Sequence, residues 1–149
     1  MSIQTEVSEQ IKTAMKAKDT VSLEALRALK SAFLLANTSG ANVSMSEAEE
    51  LKIVQKLVKQ RHDSASIYSE QGRMDLAEPE LAQASVLEQF LPKQMSEAEL
   101  TSAIQSIINS SGASTIKDMG KVMGIASKDL AGKADGKSIS EVVKKLLAG

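Results

Sequence analysis

The segment Gly132-Lys133-Ala134-Asp135-Gly136-Lys137-Ser138 comes nearest to a phosphate-binding motif in this chain. A Walker A loop has four residues between its glycines, then Lys and Ser or Thr. Here three residues separate the glycines, and the preceding pattern is helical rather than strand-like. Spacing and context therefore argue against a nucleotide site. The simpler reading is structural: Gly132 ends one helix, Gly136 is a turn residue, and Ser138 caps the next helix. The same loop sets Lys133 and Lys137 beside a helix N-terminus, where free amides and the helix dipole favour an anion. Lys121 and Lys128 precede the loop, and Lys144 and Lys145 follow it. These six lysines are the candidate phosphate-contacting residues.

Other chemistry finds less support. Nucleophilic catalysis needs an activated nucleophile. There is no cysteine, and His62 is the only histidine available to activate a serine. It lies between Arg61 and Asp63, in a pattern that puts it on the exposed face of a long helix without a partner. One histidine and scattered carboxylates give no metal-ligand cluster. Glu49-Glu50 read as first-turn charges that complement the helix dipole. No catalytic residue, metal or cofactor is assigned. Gly120 and Gly124 have the Gly-x-x-x-Gly spacing, which in a helix predicts close approach of a neighbouring backbone. Met119 and Met123 are expected in the core.

The elements that must carry these residues are helical throughout. Hydrophobic residues make up 42% and charged residues 25%, a globular composition. With three aromatics, Phe33, Tyr68 and Phe90, the core must come from Leu, Ile, Val, Ala and Met. Absence of cysteine fits a reducing compartment, the N-terminus lacks a signal-peptide pattern, and no apolar run approaches the roughly 20 residues of a membrane span. The expectation is a soluble cytoplasmic protein with no membrane partner.

Ile3, Val7, Ile11 and Ala14 mark a first amphipathic helix. Asp19 or Thr20 can cap a second, with Leu26, Leu29 and Phe33 inward, and residues 37–44 read as a loop. Ser46 with Glu49 forms a capping box that opens a long third helix, ending near Gln71-Gly72. Pro79 predicts either a new helix start or a kink within the next helical stretch, 74–90. Leu91-Pro92-Lys93-Gln94 is the best boundary, dividing an N-terminal helical domain, 1–91, from a C-terminal tail, 92–149.

After the boundary, Met95-Ser96-Glu97-Ala98-Glu99 repeats the string at Met45 to Glu49, each copy reading as a helix start. Three short amphipathic helices follow, and each needs the others to bury its apolar face. Their stripes are Leu100 to Ile108, Ile116 to Leu130 with Ser114 as cap, and Ile139 to Leu147 with a Ser138–Glu141 capping box. Net charge over the whole chain is −1, but Gly112 to Gly149 carries seven lysines and four acids. That last part is the basic one.

Leu87-Glu88-Gln89-Phe90-Leu91-Pro92-Lys93-Gln94-Met95-Ser96-Glu97, then Lys117-Asp118-Met119-Gly120-Lys121-Val122-Met123-Gly124, then Gly132-Lys133-Ala134-Asp135-Gly136-Lys137 occur in that order. In this order they resemble the YqeY-like family, whose C-terminal half is the tail domain of the GatB amidotransferase subunit. Lys59-Gln60-Arg61 is a weaker local match. The resemblance implies an all-α multihelical fold: an N-terminal helical domain and a small three-helix tail. In GatB that tail helps hold tRNA, so the resemblance also implies a tRNA-associated role. It implies possible partners among aminoacyl-tRNA synthetase or amidotransferase components.

The leading expectation is a non-catalytic protein that binds folded tRNA through lysine–phosphate contacts. The tail has no aromatic residue on which unstacked bases would stack, so shape and backbone recognition is the mode expected. The alternative is a helical protein–protein interaction module that uses the long helix from Ser46. A third reading, carried over from the family, is carbon–nitrogen ligase activity with glutamine as amide donor. The missing cysteine and lone His62 weigh against it.

Overall fold

A computed structural model describes residues 2–39 and 45–148. Among these residues there are seven α-helices and no strand. The chain divides into two compact units, Met1–Leu91 and Pro92–Gly149.

The first unit holds α1 (Ile3–Ala17), α2 (Thr20–Ser39), α3 (Glu47–Glu70) and α4 (Met74–Glu88). Ser2 caps α1 by accepting the Thr5 amide at 3.2 Å. The helix stops at Lys18, a non-glycine residue in the left-handed region at φ 57. Asp19 then starts α2: one carboxylate oxygen accepts the Ser22 amide at 3.1 Å and the other its hydroxyl at 2.7 Å. Of the two caps the sequence allowed, Asp19 is the one used. α2 runs on through Asn37 to Ser39, into the stretch read as loop; the rest of that stretch, 40–44, lies outside the described residues.

α3 opens on the Ser46–Glu49 capping box and ends at Glu70 with Gln71 as its cap residue; Gly72 follows at a φ of +72, which a side chain would strain. α4 does not begin at Pro79. It begins at Met74 and continues through the proline to Glu88. Pro79 lacks the amide that would serve the Asp75 carbonyl. Both residues are exposed, so water can replace that donor.

The core of this unit joins Val7 of α1, Leu26, Leu29 and Phe33 of α2, Val54 of α3 and Leu87 of α4. Each such side chain contributes about 1.5–3 kcal/mol when fully buried. Among the described residues Glu50 is the buried charged one, at 4% exposure. Its Oε2 accepts the Gln4 amide at 3.1 Å, so one carboxylate in the first turns of α3 holds an otherwise orphaned donor at the start of α1.

The second unit holds α5 (Glu97–Ser111), a 3-10 turn (Ile116–Asp118), α6 (Met119–Asp129) and α7 (Gly136–Ala148). α5 starts at a second capping box, Ser96 with Glu99, and Met95 just outside it packs on the core of this unit. Three residues at the same spacing enter that core from each helix, counting the α6 cap residue Leu130: Leu100, Ile104 and Ile108; Val122, Ala126 and Leu130; Ile139, Val143 and Leu147. The i, i+4, i+8 rows give each helix one narrow apolar ridge. Ile107, Val142 and Leu146 flank the ridges and are partly buried.

Two details differ from the sequence reading of this unit. Ile116 does not belong to the α6 stripe: it is 49% exposed, because residues 116–118 form a tighter turn before α6 begins. That turn is capped from behind. Asp118 accepts the amides of Ser114 at 2.9 Å and Thr115 at 3.2 Å, so Ser114 donates to a cap rather than acting as one. Met119 and Met123 pack against the core from its edge, and Val122 takes the central place.

Candidate nucleic-acid interface

α7 begins earlier than its Ser–Glu pair suggests. Asp135, not Ser138, is the cap: its Oδ1 accepts the Ser138 amide at 2.6 Å, and its carbonyl accepts the Ile139 amide at 3.1 Å. Ser138 therefore sits within the first turn, and no Ser138–Glu141 capping box forms. Gly136 is the first helical residue rather than a turn residue. α6 ends at Asp129 with Leu130 as its cap residue, and Gly132 turns the chain two residues later at φ 77. An aspartate three residues before a serine carries the same N-cap logic as Ser–x–x–Glu, and it was the available signal.

This cap changes the electrostatics of the loop. The amide at the α7 N-terminus that could have met an anion is already taken by a carboxylate. Lys133 and Lys137 flank that terminus and are exposed, so side-chain ammonium groups are available to an anion there. Lys137 and Lys144, two turns apart on α7, lie on one face, with Glu141 close to the same face. Lys128 is exposed in the last turn of α6. Lys145 is exposed in the last turn of α7, and with Lys133 it lines a concavity beside the loop. Lys121 is partly committed: its Nζ donates to the Ser111 carbonyl at 2.9 Å and so ties α6 to the end of α5. Among the described residues, the ion pairs within 4.0 Å all lie in the first unit. The six candidate lysines carry positive charge that no carboxylate of the unit neutralises by contact.

The Gly120–Gly124 face does not receive a neighbouring backbone. A Cβ built at either glycine meets nothing within 4 Å, so both stand open beside Lys121. His62, expected to lack a partner, has one: its Nε2 lies 2.7 Å from Glu88 Oε1 and links α3 to α4. Both side chains are about half exposed, 49% and 45%, an environment that suits a surface pair rather than a general base. No group of three or more His, Cys, Asp or Glu residues capable of holding a metal occurs among the described residues. No helix among them is long and apolar enough to cross a membrane.

Comparison with known proteins adds two findings. A family model described as "Yqey-like protein" matches residues 4–147, nearly the whole chain. A curated protein of the yeast Meyerozyma guilliermondii, "Altered inheritance of mitochondria protein 41, mitochondrial", is 36% identical over 84 residues. That alignment covers 54% of this chain and 42% of the yeast protein, so the chain matches less than half of that relative's length.

Proposed function

The chain belongs to the YqeY-like family, and from that premise we propose that it is a non-catalytic tRNA-associated protein whose tail grips folded RNA through lysine–phosphate contacts. One observation carries the reading: the six candidate lysines in the tail, Lys121, Lys128, Lys133, Lys137, Lys144 and Lys145, are exposed, and none is engaged in an ion pair. Ammonium groups left in water are the ones that can displace counterions from a phosphate backbone. Lys128, Lys133, Lys137, Lys144 and Lys145 form the main contact set, with Lys121 contributing less because of its bond to Ser111. The acids among them, Asp135 and Glu141, keep the patch modest and favour a shaped partner over indiscriminate polyanion binding. Components of tRNA aminoacylation or of a tRNA-dependent amidotransferase are the protein partners that fit this role, and the cytoplasm is the compartment that fits it. The test is to incubate the purified protein with total cellular tRNA and sequence what is retained. Enrichment of a defined tRNA set supports the reading; retention no greater than on a charge-matched control protein refutes it.

A second reading, a protein–protein interaction module, draws on the end of the first unit where α3 meets α4. Ile67 there is 54% exposed and Met74 is 49% exposed. An interface on those residues would be insensitive to salt, whereas phosphate contacts weaken steeply with it.

A further inference from the structure

Within the tail, the first turn of α5, the loop before α7 and the α7 face from Ser138 to Lys145 enclose a concavity of about 470 Å³. That volume lies in the range of small-molecule sites, about 300–1,000 Å³. Its walls are stitched together. Gln94 donates to the Gly132 carbonyl at 2.6 Å, and the Met95 amide donates to the Lys133 carbonyl at 3.0 Å. Met95, Leu100 and Val142 supply an apolar lining. Glu97, Glu141, Lys133 and Lys145 supply charge of both signs.

Those opposite charges share one concavity, yet no two of them form an ion pair. Glu141 and Lys145 even have the i, i+4 order that ordinarily pairs on a helix. Asp135, the remaining acid of the lining, is engaged by the Ser138 amide. Two ammonium groups and two carboxylates are thus left facing a pocket with an apolar lining. The occupant that satisfies both sets carries one carboxylate and one ammonium on an aliphatic body. A divalent cation does not fit, because no group of three or more His, Cys, Asp or Glu residues that could hold a metal ion occurs among the described residues.

We propose that this concavity binds a free aliphatic α-amino acid. Lys133 and Lys145 receive its carboxylate, Glu97 and Glu141 its ammonium, and the Met95–Leu100–Val142 lining its side chain. The proposal does not rest on RNA binding, and it is tested without RNA present.

Backbone amide NMR of the full chain, titrated with leucine, isocaproate (carboxylate only) and isoamylamine (ammonium only), decides it. Leucine is expected to give saturable shifts at millimolar concentration, centred on Met95, Lys133 and Val142. Each singly charged analogue should bind at least about tenfold more weakly. A Glu97→Gln/Glu141→Gln double variant should lose about tenfold for leucine and come to bind leucine and isocaproate alike. No saturable leucine shift, equal binding of leucine by wild type and double variant, or analogues that match leucine would each overturn the proposal.

Discussion

Asp135 Oδ1 lies 2.6 Å from the Ser138 backbone nitrogen, and that one bond decides how the tail can meet an anion. A bare helix N-terminus attracts phosphate through its free amides and its dipole. Here a carboxylate already takes one of those amides, that of Ser138, and opposes the dipole. The positive potential around the loop therefore comes from lysine side chains, which are long and independently placed. Such side chains follow a folded backbone more readily than they form a single phosphate cradle.

Replacing Asp135 by Ala separates the two roles of the loop. Loss of an N-cap aspartate should lower stability by about 1 kcal/mol, read as a reduced urea midpoint. It also removes an acid from the lysine patch and frees an amide, so tRNA affinity should hold or rise. A fall in affinity larger than the loss of folded fraction would mean that Asp135 itself serves the RNA.

The ridges of the tail predict a graded response to truncation. Ile104 is fully buried at 0% exposure, so Ile104→Ala should cost about 2–5 kcal/mol. Ile107, one residue outside the α5 ridge, is only partly buried, and Ile107→Ala should cost clearly less. Equal urea midpoints for the two variants would contradict the ridge assignment.

Acid should loosen the turn before α6. The amides of Ser114 and then Thr115 hold the Asp118 carboxyl below its ordinary value of 3.8. A carboxylate whose native pKa is depressed binds its proton less readily when folded than when unfolded. Its stabilisation is present above the unfolded value and is lost as pH falls through the native one. Asp118→Asn should remove that component, so wild type and variant should converge in thermal midpoint as pH drops below about 4. A constant gap between them across the acid range would show that Asp118 contributes no pH-linked stability.

What was legible in the sequence was local. Ser46 with Glu49 and Ser96 with Glu99 could be read as capping boxes because all the partners lie within four residues. The same locality misled at Ser138 with Glu141, where Asp135 offers a competing cap and the longer helix wins. Pro79 allowed either a helix start or a kink, because propensity alone penalises it; the packing of α4 against α3 and α2 carries the helix through, so the start is excluded. The Gly120–Gly124 spacing suggested a close neighbour, but spacing cannot say whether a neighbour is present. Contacts between distant segments were out of reach: His62 with Glu88 spans 26 residues, and Gln4 with Glu50 spans 46. At the candidate interface, the count and sign of the lysines were readable. That Lys121 is tied to a carbonyl and that Lys133 and Lys145 line one concavity depend on the fold of three helices.

The central claim is that tail lysines contact phosphate directly, and the salt dependence of tRNA binding tests it most directly. The measurement compares wild type with a Lys133→Gln/Lys137→Gln variant across a salt series, with a Lys52→Gln/Lys56→Gln variant in the first unit as control. These are exposed side chains, so each substitution should move stability by about 0.5 kcal/mol or less. The account predicts weaker binding by the tail variant and a flatter plot of log affinity against log salt, by about 0.9 for each lost contact with a duplex-like backbone. The control should keep the wild-type slope. A wild-type protein whose tRNA affinity does not change with salt, or a tail variant with an unchanged slope, would contradict the account.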